Sequence, residues 1–159
     1  MSLRRLPAAR RLGATDVVHA DGRHFVAALR DLVPEGLDYV FDAIGKIETT
    51  EQAVAALGLG GSAALVGLPP SGRQARFDPL ALAEADQRIL GCNYGSITPQ
   101  RDIPLMVDLV INGDLDLEPM VSARRPLAEA ADALADLSTG RVLRQLLICG
   151  RPEQRGEDS

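Results

Sequence analysis

Residues 36–45, which read GLDYVFDAIG, decide the fold that this sequence predicts. The stretch from Leu37 to Phe41 is largely apolar, as is typical of a strand in a parallel sheet. It ends in an acid, Asp42, and Gly45 follows shortly after. Because ligands of open α/β sheets bind outside the carboxyl ends of the strands, the stretch predicts a strand that opens onto a ligand crevice. The alternative is that Asp42 only caps the turn that follows.

Segments of strand and helix character alternate along the rest of the chain. Such alternation is typical of strands joined by helical crossovers, so it predicts an α/β fold, a parallel sheet with helices on both faces. Strands are expected at 15–20, 37–43, 61–68, 88–95 and 144–149. Helices are expected at 3–12, 22–33, 48–58, 79–86, from Thr98–Pro99 to Asn112–Gly113, and at 126–137, and residues 150–159 are expected to be a disordered tail.

Composition excludes several functions. The chain has 159 residues, of which 46% are hydrophobic and 3% aromatic, so its core must be aliphatic. A net charge of −5 argues against nucleic acid as a partner. No apolar run approaches the roughly 20 residues that a membrane span needs, and Cys92 and Cys149 form no CxxC pair. We therefore expect a reduced, cytoplasmic protein without a metal site built on cysteine pairs.

Three of the predicted strands end in similar segments, each with a glycine: FDAIGK (41–46), LVGLPP (65–70) and GCNYGS (91–96). Glycine lets a backbone approach a ligand closely. The recurrence favours a crevice, although each segment alone is typical of a turn. Arg144, at the start of the last strand, has the chemistry to clamp a phosphate or carboxylate; the alternative is a solvated charge beside Arg141.

Taken together, four segments resemble the carboxyl-terminal half of the zinc-type medium-chain alcohol dehydrogenases, in particular the thiol-dependent formaldehyde dehydrogenases. The segments are AARRLGATDVVHADG, LDYVFDAIGKIETTEQAVAALGLGGSAALVGLPP, GCNYGSITPQRDIPLMVDLVINGDLDLEPMVS and GRVLRQLLI, and the resemblance covers residues 5–149. It implies a truncated Rossmann-like, NAD-binding domain over residues 1–149, with the family's carboxyl-terminal return segment at about 116–149.

The resemblance also implies which residues contact the cofactor, NAD, with NADP not excluded. Ile44 and Lys46 resemble residues that lie against the adenine end. Gly45, between them, is expected to let the cofactor lie close to the backbone. Arg144 resembles the arginine that grips the pyrophosphate.

At the nicotinamide end, Val66, Gly67 and Leu68 resemble the segment that passes under the ring. Cys92 and Tyr94 match the next strand end, whose backbone holds the nicotinamide carboxamide in that family.

The sequence also departs from the family. The glycine-rich loop, the first strands of the sheet and the acid that binds the adenosine ribose would lie upstream of Met1. The amino-terminal domain with its zinc-binding Cys, His and Glu residues is likewise absent from the sequence, so no catalytic or metal-binding residue is expected in this chain. The resemblance therefore implies the cofactor-binding half of an oxidoreductase that transfers a hydride between an alcohol or aldehyde and NAD, inactive as an isolated chain.

A second interpretation is a non-catalytic interaction or dimerisation module. The segment Leu80–Leu90 leads into what the family uses as an edge strand, and an exposed edge is a natural docking site. Its partner would be a second copy, giving a homo-oligomer, or a separate amino-terminal polypeptide. A methyltransferase-like α/β protein is a third possibility, which the order of the motifs disfavours.

Overall fold

The computed structural model describes residues 6–19, 24–140 and 142–150. These residues divide into two compact units. Of the described residues, one unit comprises those from 18 to 104, and the other comprises 6–17 together with those from 105 to 150. Helices in chain order are α1 (Leu6–Arg11), α2 (Phe25–Leu32), α3 (Ile47–Ala55), α4 (Pro79–Glu84), α5 (Pro99–Ile111) and α6 (Ala130–Ser138). Strands are β1 (Leu37–Asp42), β2 (Leu57–Leu65), β3 (Arg88–Gly91), β4 (Val121–Pro126) and β5 (Arg144–Ile148).

The first unit is built on a parallel sheet with the strand order β1-β2-β3. Its core is one apolar cluster of Val54, Leu57 and Ala63, against which Val40, Leu82 and Ile89 pack. Helix α3 contributes Val54 and α4 contributes Leu82, so both helices cover the same face of the sheet. The mixed α/β fold with parallel sheets that the sequence predicts is confirmed.

The opposite face of β1 is left uncovered. Tyr39 and Phe41 alternate with Val40 along the strand and are 71% and 69% exposed. Helix α5 likewise has no buried residue. Large apolar patches of this kind mark interaction surfaces more often than free surface.

Polar groups at the helix starts explain why the helices begin where they do. Asp78 accepts hydrogen bonds from the N–H groups of Leu80 (2.9 Å) and Ala81 (3.4 Å), which would otherwise lack a partner within α4. Asp102 accepts from Thr98 N (2.7 Å) at the start of α5. Pro79 and Pro99 occupy the first position of their helices, where no N–H is needed.

The second unit contains a parallel pair of strands, β4 and β5, with α6 packed against both. The side-chain amide of Gln145 donates to Ala133 O (2.9 Å), which joins β5 to α6. Arg125 of β4 forms an ion pair with Asp136 of α6. Both strands of this pair are therefore joined to α6 by polar side chains.

Several expected boundaries are wrong. No strand forms at residues 15–19, and residue 20 lies outside the described residues; a strand needs a paired neighbour, and no described strand pairs with this segment. Strand β2 begins at Leu57 instead of residue 61, because Leu57 already pairs with Leu37. Residues 58–61 then form a bulge before Ser62 pairs with Tyr39. Strand β3 ends at Gly91, and residues 94–96 form a 3₁₀ turn.

Strand β4 was not expected, because its sequence, VSARRP, mixes apolar and charged residues. It alternates half-buried and exposed positions along its length, as a half-covered strand does. Pro126 ends this strand, so the helix expected at 126–137 begins only at Ala130, after a 3₁₀ turn at Leu127–Glu129. The tail expected at 150–159 lies outside the described residues except for Gly150.

Leu57 should be a main determinant of stability, because its side chain is 1% exposed at the centre of the apolar cluster. We predict that Leu57→Ala lowers the free energy of unfolding by about 2–5 kcal/mol, the cost of lost burial plus a cavity. Leu59→Ala is the matched control, since Leu59 lies in the same strand and is 84% exposed. Urea unfolding followed by circular dichroism measures both; equal effects would contradict the assignment of the core.

Candidate functional site

The parallel register brings three of the predicted site segments to one edge of the sheet. Asp42 pairs with Leu65, and Leu65 pairs with Gly91, so the last residues of β1, β2 and β3 lie in one row. The segments that follow are 43–46, 66–68 and 92–94. Arg144, by contrast, lies in the second unit, at the first residue of β5. The predicted residues of the first unit are thus neighbours at strand ends, and the role of Arg144 stays a prediction.

Asp42 is the polar centre of this edge. It is 5% exposed, and its Oδ1 accepts hydrogen bonds from Ile44 N (3.0 Å), Gly45 N (3.3 Å) and Thr49 Oγ1 (3.0 Å). Its Oδ2 accepts from Thr50 Oγ1 (2.8 Å). The carboxylate therefore caps the turn after β1 and ties it to the first turn of α3. The capping interpretation of Asp42 that the sequence left open is confirmed.

The hydrogen bonds of Asp42 also determine its ionisation. Burial alone would raise the pKa of Asp42, but the hydrogen bonds from Thr50, Ile44, Gly45 and Thr49 outweigh burial and hold the pKa below its ordinary value of 3.8. Asp42 is consequently a buried carboxylate at neutral pH, stabilised by neutral donors.

The main chain of Asp42 holds the second segment. Its carbonyl oxygen accepts from both Val66 N (3.0 Å) and Gly67 N (2.7 Å). One strand further along, Leu65 O accepts from Cys92 N (3.1 Å), so the ladder continues one residue beyond β3. The second and third segments are thus hydrogen-bonded, at their first residues, to the last residue of the neighbouring strand.

Gly45 and Gly67 must both be glycines, because the backbones of their two segments lie in close contact. A Cβ built on Gly67 would lie 2.2 Å from Gly45 N, and one built on Gly45 would lie 2.6 Å from Leu68 N, distances that no real side chain tolerates. Gly45 also has φ +74°, a left-handed conformation that glycine adopts without strain. The close approach at Gly45 is therefore to the backbone of the adjacent segment. Its expected contact with a cofactor stays a prediction.

An apolar recess of about 120 Å³ lies beside the first segment. Its lining includes Phe25, Phe41, Ile44 and Ala53, together with Thr49. Ile44 and Lys46 are both exposed, and their expected contacts with the adenine end of a cofactor stay predictions. The recess is too small to enclose a whole dinucleotide.

The third segment has an unusual backbone. Tyr94 and Ser96 have positive φ values of 50° and 52°, on either side of Gly95 at 76°. Left-handed conformations are uncommon for residues other than glycine and tend to occur at functional sites. The Tyr94 side chain is 88% exposed, so its ring takes no part in the core of the first unit.

Sequence reasoning missed Thr49 and Thr50 as partners of Asp42. Their signal is present, since two hydroxyl residues at a predicted helix start follow a strand that ends in an acid. No group of three or more His, Cys, Asp or Glu residues within 6–19, 24–140 and 142–150 is arranged to hold a metal ion. Over the same residues, no helix is long and apolar enough to cross a membrane.

Comparison with known proteins places this edge in context. The family model described as zinc-binding dehydrogenase matches residues 1–112. The S-(hydroxymethyl)glutathione dehydrogenase of Escherichia coli O1:K1 is 29% identical over 143 residues, which are 87% of this chain and 38% of that protein.

Solved structures agree in fold. The benzyl alcohol dehydrogenase of Acinetobacter calcoaceticus superposes with a TM-score of 0.86 at 31% identity, over 94% of this chain and 41% of that one. An alcohol dehydrogenase zinc-binding domain protein of Burkholderia ambifaria gives a TM-score of 0.84 at 32% identity, over 92% and 40% of the two chains. The chain thus spans about two fifths of the length of the relatives that it matches.

Because the first two segments are in contact, adding a methyl group at Gly67 should destabilise the fold. Gly67→Ala should lower the free energy of unfolding by about 1–3 kcal/mol, the usual cost of overpacking, because the backbone of residue 45 must move. Gly91→Ala is the matched control, since a Cβ at this neighbouring strand end meets no atom within 4 Å. Thermal and urea unfolding of both variants test this; an unaffected Gly67→Ala protein would show that the segments are not in contact.

Proposed function

This chain belongs to the zinc-binding dehydrogenase family, and we propose that it binds a nicotinamide dinucleotide along the three strand ends. In this proposal it is the cofactor-binding part of an oxidoreductase that transfers a hydride between NAD and an alcohol or aldehyde. The observation that carries the proposal is the row Asp42–Leu65–Gly91, which sets three loop segments side by side at the carboxyl edge of a parallel sheet. The activity of the whole enzyme is part of the proposal, because this chain spans about two fifths of its relatives.

The adenine end is assigned to the first segment. Exposed Ile44 beside its apolar recess suits one face of a planar base, and Lys46 supplies the cation nearest to it. Gly45, between them, is buried and has no side chain that would hold the cofactor away from the backbone. We assign Arg144 to the pyrophosphate, since a guanidinium holds two phosphate oxygens in a fixed geometry.

The nicotinamide end is assigned to the second and third segments. Val66 and Leu68 are exposed on either side of Gly67, which suits them to contact one face of the ring. The N–H of Cys92 is already bonded to Leu65 O, so we assign the carboxamide to the carbonyl of Cys92 and to the backbone of Tyr94, which offer an acceptor and a donor. The left-handed conformation of Tyr94 turns its backbone away from the sheet ladder. These residues would orient the ring; none of them moves a proton or polarises a substrate.

Hydride transfer from an alcohol is assisted by a Lewis acid that lowers the pKa of the hydroxyl, which zinc supplies when bound. The described residues do not fit a zinc site, because they offer no cluster of metal ligands. We therefore assign no metal-dependent step to them, and we place the zinc of the proposed enzyme on residues other than those. Cys92 and Cys149 are both free thiols, which suits the cytoplasmic location proposed for the enzyme.

A second candidate function, an interaction module, is favoured by the open edge of β3. Among the described strands, β3 pairs only with β2. Leu90 of β3 and Leu80 of α4, the helix that precedes this strand, are exposed. Unpaired strand edges recruit other strands. We propose a homo-oligomer formed through the region Leu80–Leu90. Alternatively, a separate amino-terminal polypeptide would cover the outer edge of β1, which also pairs with β2 alone among those strands.

Cofactor binding is tested by titrating the purified chain with NADH and following cofactor fluorescence. We predict saturable binding, weakened about three- to tenfold by Lys46→Ala, which corresponds to the loss of one charge-assisted contact. Arg88→Ala is the charge-matched control, because Arg88 lies at the amino end of β3, away from the strand ends. A folded chain that does not bind NADH would refute the proposed function.

The oligomer is tested by sedimentation equilibrium across a range of concentrations. We predict self-association that Leu90→Lys weakens at least about tenfold, since a lysine on an edge strand discourages pairing. Leu59→Lys, which adds the same charge at an exposed site of β2, should leave association unchanged. A chain that stays monomeric at the highest concentration would contradict the homo-oligomer.

A further inference from the structure

We propose that Asp42 is a positioning residue for both ends of the cofactor, a role that rests on the proposed function. Its carboxylate is enclosed by donors from its own unit and lies behind the segments assigned to the cofactor. It therefore acts through other residues. Asp42 holds two different segments, one with its side-chain carboxylate and the other with its main-chain carbonyl.

The carboxylate sets the adenine-side segment. Ile44 N and Gly45 N both point at Oδ1, which fixes the peptide planes on either side of Ile44 and hence the direction of its side chain. Thr49 and Thr50 hold the two carboxylate oxygens from the first turn of α3, so the carboxylate cannot rotate without breaking one of these bonds. The position of the segment is thereby fixed relative to α3, which packs on strands β1 and β2.

The carbonyl sets the nicotinamide-side segment. Val66 N and Gly67 N share the carbonyl oxygen of Asp42, although this segment is more than twenty residues away in the chain. Any contact that fixes the position of the Asp42 peptide therefore also fixes the two hydrogen bonds from Val66 N and Gly67 N. The side chain does so, because it anchors the same residue to α3 on one side and to its own turn on the other.

The contact of Gly45 with Gly67 and Leu68 joins the two segments a second time. The backbones meet so closely that neither segment can shift toward the other. Loss of the Asp42 side chain would free the 43–46 turn and, through this contact, leave Gly67 and Leu68 unsupported. One side chain thus controls the placement of residues assigned to opposite ends of the dinucleotide.

The experiment uses the full chain with Asp42→Ala, Asp42→Asn and the wild type. Three quantities are measured well below the melting temperature: the Kd for NADH, the displacement of NADH by AMP, and the emission maximum of bound NADH at saturation. The first reports the whole cofactor, the second the adenine end, and the third the surroundings of the nicotinamide ring. Val54→Ala is the control, because it destabilises the apolar cluster and leaves every hydrogen-bond donor to the Asp42 carboxylate in place.

Asp42→Ala should raise the Kd for NADH at least about tenfold, the size expected when several hydrogen bonds to one charged group are lost. It should also weaken the binding of AMP, and it should shift the emission maximum of bound NADH toward that of free NADH. Asp42→Asn, which keeps an acceptor for Ile44 N and Gly45 N, should recover part of each effect. Val54→Ala should lower the melting temperature and leave all three quantities unchanged.

Asp42→Ala protein that is less stable but binds NADH and AMP like the wild type would overturn the inference, since the role would then be structural alone. Weaker AMP with an unchanged emission maximum would also overturn it, because Asp42 would then hold only its own turn. If Asp42→Ala does not fold, Thr50→Val, which removes the donor to Oδ2, is expected to change all three quantities in the same direction by a smaller factor. No binding by the wild type would instead refute the proposed function itself.

Discussion

Every feature of the candidate site depends on the parallel register that puts Asp42, Leu65 and Gly91 in one row. In a parallel sheet all strands finish at the same edge, so a shift of one strand by one residue would move its terminal segment out of the row and turn its side chains to the other face. The register is held by apolar residues on one face only, Val40, Ala63 and Ile89, beneath α3 and α4. Packing far from the edge therefore decides where the edge lies.

A buried carboxylate completes what the register begins. Transfer of a charge into a protein interior is unfavourable unless hydrogen bonds replace those of water. Asp42 receives such bonds from two main-chain N–H groups and two hydroxyl groups, which keep it ionised. The same bonds remove the conformational freedom of the turn after β1. Desolvation is thus offset by donors that at the same time give the loop a single conformation.

The uncovered apolar surface agrees with the length of the chain relative to its family. Tyr39 and Phe41 on one face of β1, and the apolar side of α5, remain exposed, whereas the relatives are about 2.3 times as long as this chain. Burial contributes about 25 cal/mol per Å² of apolar surface, so a partner that covers these residues would add appreciably to stability. Whether that partner is a second copy or another polypeptide is the difference between the two proposed assemblies.

Much of the candidate site could be predicted from local sequence. The apolar run that ends at Asp42, the three glycine-containing strand ends and the proline helix starts at Pro79 and Pro99 each depend on the conformational preferences of a few neighbouring residues, and the structure has them where they were expected. Thr49 and Thr50 could have been paired with Asp42 on the same grounds. What failed were elements whose existence depends on a distant neighbour, namely the strand expected at 15–20 and the unexpected strand β4.

The sequence by itself determined the fold class, the strand ends and the family resemblance, because apolar periodicity, turn residues and motif order are all local properties. Only the tertiary structure decided why Gly45 must be a glycine and what the carbonyl of Asp42 holds. Gly45 meets Gly67 and Leu68, and Asp42 meets Val66 and Gly67, across a sheet register that pairs residues more than twenty positions apart. Contacts of this kind arise from the way strands align in space, and no pattern within either segment specifies them.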